Sequence, residues 1–111
     1  MNREVQQFKA EFFKALSHPL RIHILEILCE GDKNVNELQS LCNVEGSAIS
    51  QQLAILRNKK IVSARKEGTR VLYSLQDPMI KELLIIARQI FNNHLIDTIS
   101  MLDRFHKQSL V

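Results

Sequence analysis

The chain has 111 residues, of which 45% are apolar and 24% are charged, a balance that is ordinary for one globular domain. This composition excludes an intrinsically disordered chain, and the few Gly and Pro residues favour a mostly helical fold. With no apolar run long enough for a bilayer, no cleavable leader and only two cysteines, we expect a cytoplasmic protein. The net charge of +3 permits an anionic partner only if the positive charge is localised.

The N-terminal segment predicts two helices. The first, over residues 3–16, is amphipathic and carries three phenylalanines, so we expect it to pack on the core or on a second subunit. Ser17 is expected to cap the next helix, with Pro19 in its first turn. That helix ends near Gly31, and its almost wholly apolar sequence predicts a central element buried on more than one side.

A helix-turn-helix pattern lies between residues 36 and 62. Apolar residues recur at helical spacing on both sides of a short break, at which Asn43 and Gly46 tolerate the left-handed or strained backbone of a tight corner. The outer face of the second helix has hydroxyls, amides and a cation but no carboxylate, which suits base edges and phosphates. Its residues are Ser47, Ser50, Gln51, Gln52 and Arg57. The alternative is an ordinary amphipathic helical hairpin with a polar surface.

Two short extended segments, residues 62–66 and 71–75, follow the helix-turn-helix and bracket a turn that contains Gly68. Arg65, Lys66 and Arg70 flank the tip of this hairpin, so we expect a basic ribbon beside the second helix, in the form of a wing. The alternative is a solvated hairpin whose cations only keep an edge strand from aggregating.

From Pro78 onward the chain is expected to be one long helix, because no Pro or Gly interrupts residues 79–108. At 1.5 Å per residue it is about 45 Å long, more than the core of one small domain covers. We therefore expect a two-fold homodimer in which helices 3–16 and 78–107 pair across the axis. The expected interface residues are Phe8, Phe12, Leu84, Ala87, Phe91 and Leu95.

Three collinear segments, FKALSHPLRIHILEIL, ISQQLAILRNKKIV and RKEGTRVLYSL, resemble the ArsR/SmtB family of winged helix-turn-helix repressors over about Phe8 to Leu75. The resemblance implies a winged helix-turn-helix, and with the elements above we expect a mainly α (α+β) fold of about five helices and a two-stranded wing. From the chain length we expect a single domain over residues 1–111. The resemblance also implies a homodimeric repressor that binds a palindromic operator in double-stranded DNA, with helix 46–59 in the major groove, and that an inducer releases. The implied DNA contacts are Ser47, Ser50, Gln51, Gln52 and Arg57, with Lys66, Thr69 and Arg70 from the wing.

Some positions depart from the family pattern. Lys60 stands where a glycine is common after the recognition helix, and Glu45 stands where Ser or Asp often caps it. The family's metal-binding positions correspond to Asn34, Val35 and Asn36, and in the last helix to Asp77, Met79, Ile90 and Asn93. Of these only Asp77 matches, and the paired cysteines of sulfur-responsive members correspond to Glu26 and Asn92. We therefore expect no cofactor, and the inducer is unknown.

Few other residues suggest chemistry. Cys29 and Cys42 are interpreted as small buried hydrophobes. His94 and Asp97 mirror Asp103 and His106 about Ser100, which makes a zinc site between crossed helices a minor hypothesis. Because no serine lies in a Gly-x-Ser-x-Gly setting and no cysteine has an evident base, an enzyme is not expected. The second hypothesis for function is a winged helix that binds proteins and not DNA.

Overall fold

The computed structural model describes residues 1–109, with side chains described up to residue 106. Within this range five helices and one hairpin occur in the order α1 (Arg3–Leu16), α2 (Pro19–Leu28), α3 (Val35–Cys42), α4 (Gly46–Asn58), β1 (Val62–Glu67), β2 (Arg70–Leu75) and α5 (Pro78–Ser109). The predicted winged helix-turn-helix is confirmed. The chain divides into two compact units, Met1–Lys81 and Glu82–Val111. The last two residues of the domain expected over 1–111 lie outside the described residues.

Helix α2 is the centre of the first unit. It packs against α1, α3, α4 and β2, and the side chains of Ile24 and Leu25 are completely shielded from solvent. The expectation of a central element buried on more than one side is therefore confirmed. The buried apolar residues of this unit are Ala15, Ile24, Leu25, Leu28, Leu38, Ile49, Leu53, Leu56, Ile61, Val62 and Ile80. Each large side chain in this set contributes about 1.5–3 kcal/mol by its removal from water.

The junction between α1 and α2 differs from the prediction. Ser17 does not cap α2; its hydroxyl donates to the carbonyl of Lys14 at 2.8 Å and so helps to end α1. The cap of α2 is His18, whose Nδ1 accepts a hydrogen bond from the backbone N–H of Leu20 at 3.2 Å. Pro19 occupies the first helical position as expected, because its missing N–H would have no partner there.

The corner between α3 and α4 has one left-handed residue. Asn43 adopts φ 54°, as predicted, and ends α3. Gly46 instead is the first residue of α4 and has no positive φ. A Cβ at Gly46 would lie 3.0 Å from Oε1 of Gln39, the end of a flexible side chain, so glycine here eases close packing and does not supply a left-handed backbone.

The hairpin pairs its strands in register from Val62 opposite Leu75 to Glu67 opposite Arg70. Its two-residue turn begins with Gly68 at φ 64°, the position at which a type II′ turn requires glycine. Lys33, in the loop before α3, exchanges two backbone hydrogen bonds of 3.1 and 2.8 Å with Tyr73 of β2. This isolated bridge was missed because a single bridging residue has no periodicity in the sequence.

As far as Ser109, the second unit is the C-terminal part of α5. Many of its large apolar side chains are exposed: Ile85, Ile86, Ile90, Phe91, Leu95, Ile96, Ile99, Met101, Leu102 and Phe105. Even so, among the described residues no helix combines the length and apolar character that a membrane crossing needs.

The C-terminus of α4 ends in a Schellman motif. The N–H of Lys60 bonds to the carbonyl of Arg57 at 3.0 Å, and the N–H of Ile61 bonds to that of Leu56 at 2.9 Å. The motif requires a left-handed residue at Lys60, which has φ 59°. A lysine therefore occupies a backbone conformation that favours glycine.

We expect Lys60→Gly to raise the free energy of unfolding by about 0.5–1 kcal/mol, because relief of the left-handed backbone exceeds the entropy that glycine adds to the unfolded chain. Urea unfolding at a fixed protein concentration measures the change. Lys59→Gly is the matched control, since Lys59 has φ −86° and gains nothing from glycine. Equal destabilisation by both substitutions would contradict the prediction.

Candidate nucleic-acid interface

One side of α4 is exposed and polar. At 3.6 residues per turn, six residues fall on this side, and all six are exposed: Ser47, Ser50, Gln51, Ala54, Arg57 and Asn58. The other side packs into the core through Ile49, Leu53 and Leu56. No carboxylate occurs within Gly46–Asn58, so the exposed side presents hydroxyls, amides and one guanidinium to an approaching anion.

Gln52 is separated from the other predicted contact residues. It lies about 100° around the helix from Gln51 and is half-buried. Its Oε1 accepts a hydrogen bond from the Arg21 guanidinium at 3.1 Å. The structure thus brings Ser47, Gln51 and Arg57 to one face and directs the oxygen of Gln52 toward α2.

Two residues of the exposed side were missed in the sequence. Asn58 follows Ser47 by eleven residues, about three turns, and Ala54 lies between them on the same side. This helical spacing was the feature of the sequence from which both residues could have been predicted. Near them, α4 and β2 enclose a groove of about 360 Å³. Its lining residues are Ser50, Leu53, Ala54, Arg57, Asn58 and Tyr73.

The three predicted wing residues, Lys66, Thr69 and Arg70, are all exposed at or beside the turn. The strand register puts Lys66 on one face of the ribbon, with Val71 opposite, and Arg70 on the other face, opposite Glu67. Among residues 1–106, neither Lys66 nor Arg70 takes part in a salt bridge. The wing therefore presents on each face one exposed cation that forms no salt bridge with the described residues.

Arg65 has a different role from its neighbours. Its guanidinium forms a salt bridge with Asp32 at 2.5 Å and a second with Glu67 at 3.5 Å. The hydrogen bond to Asp32 is the main reason why the pKa of Arg65 is raised. Arg65 therefore joins the hairpin to the loop before α3, and its charge is largely compensated there.

Both cysteines are half-buried, whereas the sequence predicted buried side chains. Burial raises the pKa of the Cys42 thiol, so the thiolate that reacts with oxidants and metals is scarcer there than in an exposed cysteine.

The metal-ligand candidates of α5 do not converge on a straight helix. His94 and Asp97 precede Asp103 and His106 by nine residues, about two and a half turns, so the two pairs lie on opposite faces. Among the described residues, no three His, Cys, Asp or Glu side chains lie close enough to hold one ion.

Two polar residues at the positions compared with the family metal sites, Asn34 and Asp77, accept backbone hydrogen bonds at the starts of helices. Asn34 accepts from the N–H of Glu37 at 2.8 Å, and the Glu37 carboxylate accepts from the N–H of Asn34 at 3.1 Å, which completes a capping box on α3. Asp77 accepts from the N–H of Met79 at 2.9 Å at the start of α5.

A helix-turn-helix whose second helix exposes a carboxylate-free face beside a basic hairpin defines a winged helix-turn-helix transcriptional regulator. Residues 18–64 match the model of the family described as "Bacterial regulatory protein, arsR family". The chain belongs to this family.

Relatives agree with that assignment. The uncharacterized HTH-type transcriptional regulator Rv0081 of Mycobacterium tuberculosis is 46% identical over 98 residues, which cover 87% of this chain and 86% of that protein. Its crystal structure matches with a TM-score of 0.78 at 44% identity, over 86% of this chain and 96% of that one. The transcriptional repressor SmtB homolog of Synechocystis is 37% identical over 75% of this chain and 63% of its own length.

A third similar protein has a solution structure. It is the homodimeric winged helix-turn-helix DNA-binding domain of Mb0332 from Mycobacterium bovis, which matches with a TM-score of 0.78 at 26% identity. The match covers 84% of this chain and 86% of that one.

We expect Cys42 to react with iodoacetamide at pH 8 more slowly in the folded protein than in urea, because its raised pKa and partial burial lower both the thiolate fraction and access. The measurement uses Cys29→Ser, so that only one thiol is alkylated. Free cysteine under the same two conditions controls for the effect of urea. A folded protein that reacts as fast as the unfolded one would show that burial does not protect this thiol.

Proposed function

We propose that this chain is a homodimeric transcriptional repressor that binds a palindromic operator and leaves it in response to an inducer or signal. The observation that carries the proposal is the exposed, carboxylate-free side of α4 next to a wing that has an exposed cation outside the described salt bridges on each face. In the proposed complex α4 is the recognition helix in the major groove, and the wing contacts the DNA backbone or minor groove.

The proposed contacts from α4 are Ser47, Ser50, Gln51 and Arg57. The exposed amide of Gln51 offers a donor and an acceptor to a base edge, as recognition of adenine requires, and the hydroxyls suit bases or phosphates. Gln52 is not included as a base contact, because its oxygen is already bonded to Arg21.

The proposed contacts from the wing are Lys66, Thr69 and Arg70. Because Lys66 and Arg70 lie on opposite faces of the ribbon, a hairpin that enters the minor groove edge-on would place one cation toward each phosphate strand. Arg65 is left out, since Asp32 and Glu67 compensate its charge.

The proposed dimer interface consists of α1 and α5. Phe8 of α1 is 78% exposed and Phe91 of α5 is 67% exposed, and each of these helices leaves large apolar side chains in water that a partner subunit would cover. Leu95 is also exposed, and Phe12, Leu84 and Ala87 are half-buried in the single chain, where a partner could cover them further. The homodimeric state of the similar Mb0332 domain supports the same assembly.

Substitution of a base contact and substitution of a phosphate contact are expected to have different effects on DNA affinity. Gln51→Ala should cost about 1–3 kcal/mol on the preferred operator and relax the preference at particular base pairs, with little effect on random DNA. Lys66→Ala or Arg70→Ala should weaken binding to the preferred operator and to random DNA by similar factors. Each should also lower the slope of log affinity against log salt by about one per contact in each protomer.

Operator selection from random duplexes, followed by affinity measurements over a range of salt concentrations, tests this expectation. Lys9→Ala controls for the loss of one exposed cation outside the proposed DNA-binding surface. If Gln51→Ala, Lys66→Ala and Arg70→Ala all leave DNA binding unchanged, the recognition surface lies elsewhere and a protein-binding winged helix is the better interpretation.

The dimer is tested by sedimentation. The protein is expected to be a dimer at micromolar concentration, and Phe91→Asp should weaken dimerisation at least tenfold, because burial of an unpaired carboxylate costs several kcal/mol. Leu41→Asp is the matched control, since Leu41 is 54% exposed on α3, outside the proposed interface. A wild-type monomer, or equal effects of both substitutions, would contradict the proposed interface.

A further inference from the structure

We propose that Arg21 is a positioning residue that sets the orientation of the recognition helix α4 relative to α1, and so determines operator specificity without touching DNA. The inference rests on the proposed function, in which α1 belongs to the dimer interface and α4 contacts bases. Arg21 lies in α2, the element against which both of these helices pack.

The guanidinium of Arg21 joins two helices that are far apart in the sequence. Its Nε donates to the carbonyl of Ala15 at 2.7 Å, and one terminal nitrogen donates to Oε1 of Gln52 at 3.1 Å. Ala15 is in the last turn of α1, where carbonyls lack partners within the helix and the helix dipole favours a cation. Gln52 is at the middle of α4.

The chemistry of this bridge is specific to arginine. The planar guanidinium directs several N–H groups at fixed angles, so one side chain holds two acceptors in a defined geometry, which the single ammonium of lysine does not do. Both bonds are partly buried, and loss of either partner leaves a polar group without compensation. The bridge therefore resists displacement of α4 along or around its axis.

A second polar link between α1 and α4 is weaker. Lys59 lies at the C-terminal end of α4, and its ammonium is 3.7 Å from the Glu11 carboxylate. Both side chains are 41% exposed, and exposed ion pairs at such distances contribute little. Of these two polar links, the Arg21 bridge is the shorter and more buried, and it holds the middle of α4.

Orientation matters because a two-fold dimer presents two copies of α4 to one face of the duplex. The separation and tilt of the two recognition helices determine which half-sites are contacted together. A loosened bridge would weaken base contacts, which demand close geometry, more than phosphate contacts, which tolerate displacement.

The test measures the ratio of affinities for the preferred operator and for random DNA in the full-length protein. Arg21→Gln and Gln52→Met each remove the bridge and should lower this ratio about tenfold, and the double variant should lower it no further, because both act on one interaction. Arg21→Lys should also lower it, since lysine lacks the second fixed donor. Lys14→Gln, an exposed position in the last turn of α1, controls for the lost charge.

Gln52→Glu distinguishes a bridge from a base contact. A carboxylate still accepts a hydrogen bond from Arg21, so the affinity ratio should remain within threefold of wild type. If Gln52 instead contacted a base directly, its replacement by glutamate would abolish the sequence preference. The salt slope should not change in Arg21→Gln. A slope lower by about one per protomer would make Arg21 a phosphate contact and overturn the inference.

Additive losses in the double variant, or an unchanged ratio in Gln52→Met, would also overturn it. Circular dichroism and sedimentation establish that each variant is a folded dimer. If Arg21→Gln does not fold, the affinity ratios of Gln52→Met and Gln52→Glu alone decide whether the bridge determines specificity. A wild-type protein without sequence preference overturns the proposed function together with this inference. If the wild-type protein prefers its operator and Gln52→Met has the same affinity ratio as the wild type, only this inference is overturned.

Discussion

Burial of α2 is the constraint on which the DNA-binding unit depends. Ile24 and Leu25 are fully shielded, and α1, α3, α4 and β2 all pack around this one helix. Truncation of such a residue to alanine costs about 2–5 kcal/mol, a large part of the 5–15 kcal/mol that stabilises a typical domain. The positions of the helix-turn-helix and the wing are therefore set by apolar packing on α2, and polar contacts refine them.

Because α4 packs on α2, its sides differ in burial and in chemistry. Ile49 and its apolar neighbours serve the core, the exposed side carries polar groups, and Gln52 on the flank is held by Arg21. Charge is divided in a similar way at the wing, where Asp32 compensates Arg65 and leaves Lys66 and Arg70 as the available cations. The net charge is only +3, so affinity for an anionic partner depends on where individual cations lie, and Lys66 and Arg70 are two exposed cations outside the salt bridges of the described residues.

Features that depend on a few neighbouring residues were predictable from the sequence. The order of helices and strands followed from apolar periodicity, the left-handed corner from Asn43, and the tight turn from Gly68, because these are properties of local backbone preference. The polar side of α4 followed from the absence of carboxylates in that segment. Asn58 was within reach of the same argument but was missed, since it stands at the very end of the helix.

Other features were decided by tertiary structure alone. The sequence determined that Gln51 and Gln52 are adjacent polar residues on a helix, but only the packing of α2 showed that one is exposed and that the other bonds to Arg21, 31 residues away. It determined a basic hairpin, but the compensation of Arg65 depends on Asp32, 33 residues distant. The physical reason is that helical periodicity is local, whereas hydrogen bonds and ion pairs between distant segments exist only once burial of α2 has brought those segments together.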